Sequence, residues 1–277
     1  MLDTIKPEIA VPSPTLVRTR LRGIALPNEH GAWGMLFEPL VAGAAVAFSV
    51  SALWISLAVI AAFLLRQPLK VLMLGLMSGR STPHAAAAYK YLYLYATIFV
   101  IAGAGALAFS PPAVFLPLII AAPLAAIPIY FDAIGKSRNL FPELAGSVAI
   151  NSSAAMIALA GGWTLAGSVA LWAILSLRWV PSILYVRNRL LLEKGKPSSA
   201  LIPGLTAGMA VLTTTFLSFY RLCPWIVVLM MAVLFIRTVI GLSKYRKPLK
   251  AKQIGILEVV FGSITVIAII AGYKLSL

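Results

Sequence analysis

Arg178 stands well inside an apolar run, LAGSVALWAILSLRWVPSILYVRNR at residues 165–189. An ionisable side chain at membrane depth is costly, and it usually faces a bundle interior or a watery cavity, which makes it a functional candidate. At 100° per residue, Arg178, Ser182, Tyr185 and Arg189 fall on one helical stripe. Pro181 removes a backbone donor beside that stripe and can open the helix locally. The chemistry on offer is anion capture, because a guanidinium fork grips phosphate or carboxylate bidentately. Tyr185 adds a hydrogen-bond donor. Snorkelling of Arg178 to the headgroups is the structural alternative.

Three further stretches carry polar side chains in apolar surroundings. In FLLRQPLKVLMLG, Arg66 and Lys70 are four residues apart around Pro68, so a helix sets both on one face, either to hold an anion or to anchor the span. The segment from Asp132 through Lys136 and Arg138 to Glu143 is the densest polar stretch. Glu143 follows Pro142 in the first turn of a helix, where the dipole favours a carboxylate. It can pair with Arg138 or with a base on another span. Asn151 lies deeper on the same helix. In LPNEHGAWGMLFEPLVAG, His30, Trp33 and Glu38 open the first apolar run. A lone carboxylate at Glu38 calls for a partner such as Arg178 or Arg66. Glu143, Glu38 and His30 are the acid/base candidates. The ligand-binding candidates are Arg66, Lys70, Arg138, Arg178, Tyr185, Arg189, Trp33 and Asn151, with no metal and no cofactor expected.

These side chains need helices to place them. With 61% hydrophobic and 11% charged residues, the chain lies outside the range of soluble domains and reads as an all-α integral membrane protein. Runs of about 20 apolar residues predict about nine spans, at roughly 32–50, 52–74, 88–109, 113–131, 141–161, 165–186, 200–220, 223–243 and 253–274. The first two are parted only by SVSAL and read as a bent hairpin. YKYLYLY at 89–95 pairs Tyr89 with Tyr93 and Tyr91 with Tyr95 on a helix. Residues 1–25 read as a cytoplasmic tail without a cleavable signal, and 26–277 as a single membrane domain.

Counted by alternate sides, 21 of the 23 lysines and arginines fall on the side of the N-terminus, leaving Arg221 and Lys274 opposite. That asymmetry predicts a cytoplasmic N-terminus and an external C-terminus. The net charge of +15 is thus a membrane signature, and no soluble stretch is long enough for a nucleic-acid-binding domain. The single Cys223 excludes an intrachain disulfide framework.

LPNEHGAWGMLFEP, RQPLK, YFDAIGKSRNLFPELAG and LYVRNRL together resemble the YwiC-like family of bacterial membrane proteins, over about residues 26–250. His30, Gly31, Trp33 and Pro39 carry the most specific part. The resemblance implies a multi-pass protein of the bacterial cytoplasmic (inner) membrane and no particular reaction. More weakly, the polar segments after spans two, four and six make the chain similar to the UbiA superfamily of intramembrane prenyltransferases. That likeness implies a UbiA-like bundle. In that superfamily two aspartate-rich motifs hold magnesium, whereas here Arg66, Lys70, Arg187 and Arg189 occupy those places, and guanidinium groups do not hold Mg²⁺. The expectation is a cytoplasm-facing basic cavity that binds membrane lipid, an isoprenoid or another anionic amphiphile without metal. A UbiA-like transferase and an anion or organic-acid transporter are the alternatives, so enzymatic activity stays open.

Overall fold

A computed structural model describes residues 23–27, 30–78 and 85–276. Among these residues the chain is all-helical and forms a multi-pass membrane protein. Its helices are α1 His30–Val46, α2 Val50–Ser78, α3 Ala85–Phe109, α4 Leu116–Ala133, α5 Leu140–Ala160, α6 Leu165–Glu193, α7 Leu201–Phe219, α8 Trp225–Leu242 and α9 Ala251–Leu275. Each overlaps one predicted span. Eight are long and apolar enough to cross a membrane, and α1, at 17 residues, is the exception. At 1.5 Å per residue it measures about 25 Å, a turn short of a hydrocarbon core of about 30 Å.

The α1–α2 break falls earlier than SVSAL suggested, and its cause is a cap. The Ser49 hydroxyl accepts the Ala52 backbone N–H at 3.1 Å, which starts α2 at Val50. Close packing holds the bend. A Cβ at Gly43 would stand 3.2 Å from the Ala154 backbone, and one at Gly161 would stand 2.5 Å from the Ala47 carbonyl oxygen. Small residues therefore let α1 lie directly on α5.

α5 and α6 are the inner helices. α5 packs against α1, α2, α4 and α6, while α6 also meets α7 and α8. α9 returns to pack on α1 and α8, so the last helix closes the bundle against the first. The core beneath the polar region is apolar, with Ala42, Leu171, Ile174, Leu175, Val227, Met231 and Ile269 buried together. Outward faces carry large exposed apolar side chains such as Val100, Ile119, Leu212 and Ile267, as lipid-facing helix surfaces do. On α3 both tyrosine pairs stack, at centroid distances of 6.5 Å for Tyr89–Tyr93 and 6.0 Å for Tyr91–Tyr95.

The second and sixth helices run farther than their predicted spans, to Ser78 and Glu193. Arg187 and Arg189 therefore sit on helix and not in a loop, while Arg66 and Lys70 lie inside the predicted second span. Arg237 likewise lies inside α8, although its basic neighbours in sequence suggested a loop.

Candidate functional site

The predicted stripe on α6 is buried along its whole length. Arg178 is 1% exposed, Ser182 2%, Tyr185 6% and Arg189 1%. Burial to that degree requires each guanidinium to be neutralised and hydrogen-bonded, and carboxylates of this chain do so.

Glu38 on α1 meets Arg178, with Oε2 3.1 Å from Nε. Arg178 Nη2 also donates to the Glu258 backbone carbonyl at 3.1 Å, tying α6 to α9. The Glu258 side chain in turn takes Nη1 of Arg237 from α8. Arg237 closes the circuit by donating to Ser182 Oγ at 3.3 Å and by stacking over the Tyr185 ring, 4.2 Å from its centroid. Four helices thus contribute to one buried network of two acids and two arginines. Gly262, four residues after Glu258, makes room for it: a Cβ there would collide with the Glu38 carboxylate and stand 2.6 Å from Arg178 Nη2.

Above this network α6 stands apart from α1 and α9, and a cleft of about 290 Å³ occupies the gap. Gly31, Glu143, Leu190 and Ala251 lie at its outer end, where α1, α5 and α9 begin and α6 finishes. Met35, Ile183, Val186 and Ile254 form apolar walls, and Glu38, Trp179, Ser182 and Glu258 line the inner end. From Leu190 to Trp179 is three helical turns, a depth of about 16 Å. The lining among the described residues includes three carboxylates and no lysine or arginine. Glu38 and Glu258 have their arginines behind them, in the protein, and Glu143 at the outer end pairs with the partly exposed Arg187. A separate hole of about 10 Å³, the volume of roughly one water, lies between Arg178 and Arg237 on their far side.

The other candidates distribute as follows. Arg66 makes a bidentate pair with Asp132 at 2.5 and 3.1 Å, and Lys70 lies 3.9 Å from the same carboxylate while donating to Ser137 Oγ at 2.8 Å. Their anion is therefore a side chain of α4. Glu143 pairs with Arg187 of α6, Oε2 to Nη2 at 2.6 Å, rather than with Arg138. The exposed Arg138 contributes its backbone carbonyl, which accepts from Arg187 at 2.7 Å. Arg189 pairs with Glu193 at 2.9 Å and donates to the carbonyls of Gly241 and Lys247, so it fastens the α8–α9 loop to α6. Trp33 stacks on Phe37 at 5.9 Å and meets Phe63 edge-on at 5.8 Å, outside the cleft lining. Asn151 is fully buried inside the bundle, away from the cleft, without a side-chain hydrogen bond. The His30 side chain lies outside the described residues.

The stretch that reads EVVFG in sequence hid the missing acid. Glu258 was masked by its apolar flanks, and Arg237 by the basic loop that follows it. An arginine and a glutamate inside consecutive spans were the available signal.

Residues 26–159 match the family model for YwiC-like proteins. The matched segment, α1 through α5, includes Glu38 and Glu143, whereas Arg178, Arg237 and Glu258 lie beyond it. No curated protein and no solved structure matches the chain, and nothing in these comparisons bears out the UbiA resemblance.

Proposed function

We propose that this YwiC-like membrane protein is a one-sided receptor for an amphiphile, whose chain lies along the apolar walls of the cleft and whose polar end rests on the Glu38–Arg178 and Glu258–Arg237 pairs. The carrying observation is the cleft itself: apolar flanks from Met35, Ile183, Val186 and Ile254 lead to an inner end of ion-paired carboxylates. Its outer end faces the cytoplasm on the positive-inside reading, and an isoprenoid or acyl chain from that leaflet suits its walls. Arg178 and Arg237 hold carboxylates in place from behind, while Glu38 and Glu258 meet the ligand. The packed layer of Leu171, Ile174, Leu175 and Ile269 below the network favours a closed binding site over a transport path.

Gly255 provides the test. It lines the cleft, and a Cβ there would meet nothing within 4 Å. Gly255→Phe therefore fills the cleft without touching the ion pairs, whereas Gly255→Ala leaves it open. Native mass spectrometry of the gently solubilised protein, with lipid extraction, is expected to find one amphiphile per chain in wild type and Gly255→Ala and none in Gly255→Phe. Identical bulk phospholipid on all three would refute the proposal.

A further inference from the structure

The sign of the charge that the cleft accepts follows from which atoms face it. We infer that its ligand carries a primary ammonium group, an inference that rests on the amphiphile reading above.

The sequence alone points to the opposite sign, because the chain has 23 lysines and arginines against 8 acids. In the fold, however, Glu38, Glu143 and Glu258 line the cleft and their arginines do not. Arg178 sits 1% exposed behind Glu38, and Arg237 lies behind Glu258. Each pair is neutral as a whole but is oriented with its negative end toward the cleft, so a ligand's head meets oxygen atoms. An anion there would be set against carboxylates, and the lining among the described residues includes no lysine or arginine.

Glu258 is also incompletely satisfied. Arg237 takes Oε1, whereas the buried Oε2 makes no hydrogen bond. Buried acceptors are normally paired, so Glu258 keeps acceptor capacity that Arg237 leaves unused, and a primary ammonium brings three donors to this end of the cleft. Trp179, itself 7% exposed, lines the same inner end with its indole N–H turned to the Glu38 carboxyl. The inner end therefore offers the ligand carboxylate acceptors, and a phosphate or carboxylate head would be set against them. The apolar walls fix the rest of the ligand as hydrocarbon.

The test uses probes of one chain length on the purified full chain in a neutral maltoside detergent: dodecylamine, dodecyl phosphate and dodecanol, titrated by native mass spectrometry. Dodecylamine is expected to bind one per chain and at least tenfold more tightly than dodecyl phosphate. Gly255→Phe is expected to lose dodecylamine and dodecanol alike. The double variant Arg237→Gln, Glu258→Gln removes both charges of one pair together, so neither is left buried alone. It is expected to keep dodecanol binding and to lose at least tenfold in dodecylamine affinity. Equal or tighter binding of dodecyl phosphate by wild type overturns the ammonium inference and leaves the cleft reading standing. Failure of every probe, with Gly255→Phe indistinguishable from wild type, overturns the cleft reading instead.

Discussion

Substituting Glu38→Gln removes a charge while preserving shape, and it leaves Arg178 as a guanidinium 1% exposed with no carboxylate of its own. At 3.1 Å and an effective dielectric of about 20, the lost attraction is about 5 kcal/mol. The neighbouring Glu258 carbonyl, which accepts from Arg178 Nη2, offsets part of it. Breaking one side of a buried pair costs about 3–5 kcal/mol in general, and the same range is expected here. At about 2–4 °C per kcal/mol for a chain of this size, the melting temperature should fall by roughly 6–20 °C. Arg178→Met should cost a similar amount, because it strands Glu38 beside Gly262. The double variant Glu38→Gln, Arg178→Met strands neither charge. It should be at least about 2 kcal/mol more stable than the sum of the singles predicts. The assay is fluorescence-detected size-exclusion after heating, in one detergent, for wild type, both singles and the double. Additive losses, or a Glu38→Gln loss below about 0.5 kcal/mol, would refute the claim that this pair acts as a buried unit.

Three other outcomes follow from the same packing. Gly262→Ala should destabilise by about 1–3 kcal/mol through collision with Glu38 and Arg178, whereas Gly255→Ala should be neutral or stabilising by up to about 1 kcal/mol; thermal melts of the two read the contrast. Arg189→Met releases the Gly241 and Lys247 carbonyls from α6, so limited trypsin digestion should cut at Lys244–Lys250 several-fold faster than in wild type, without a matching rise elsewhere. Cys223 lies between α7 and α8, and burial pushes its thiol up to about 11. The reactive thiolate is the deprotonated form, so maleimide labelling of the folded protein should be slow at pH 7. It should rise about tenfold per pH unit up to pH 10, and rapid labelling at pH 7 would show that Cys223 is accessible.

The helices were legible because each apolar run is long and its ends are polar, and the α6 stripe was legible because 3.6-residue spacing puts Arg178, Ser182, Tyr185 and Arg189 on one face wherever α6 packs. The pairing of Glu38 with Arg178 was legible too, as one of two partners that burial would demand. What failed to show was which arginine takes which acid, since that depends on helix neighbours far apart in sequence. Arg187 reaches Glu143 only because α6 packs on α5, and Arg66 reaches Asp132 only because α2 packs on α4. The Ser49 cap was present in the sequence, but a serine between two apolar runs reads equally as filler. Glu258 went unseen because a single acid hardly lowers the hydropathy of a 25-residue span.

All five carboxylates among the described residues, Glu38, Asp132, Glu143, Glu193 and Glu258, pair with an arginine. A lysine approaches only Asp132, at 3.9 Å. That division follows from the side chains: a planar, weakly hydrated fork tolerates burial beside a carboxylate, whereas an ammonium keeps its water. The exposed lysines Lys194, Lys196, Lys244, Lys247, Lys250 and Lys252 gather at one end of the bundle, and a large share of the +15 excess sits there, outside the interior. The charge excess thus lies on exposed ends of the bundle, while the interior is locally balanced. What a ligand meets inside is set by orientation, and in the cleft the carboxylate ends of three balanced pairs face inward. A basic protein can in this way present an acidic pocket, and the preference between dodecylamine and dodecyl phosphate measures whether orientation or excess charge governs binding.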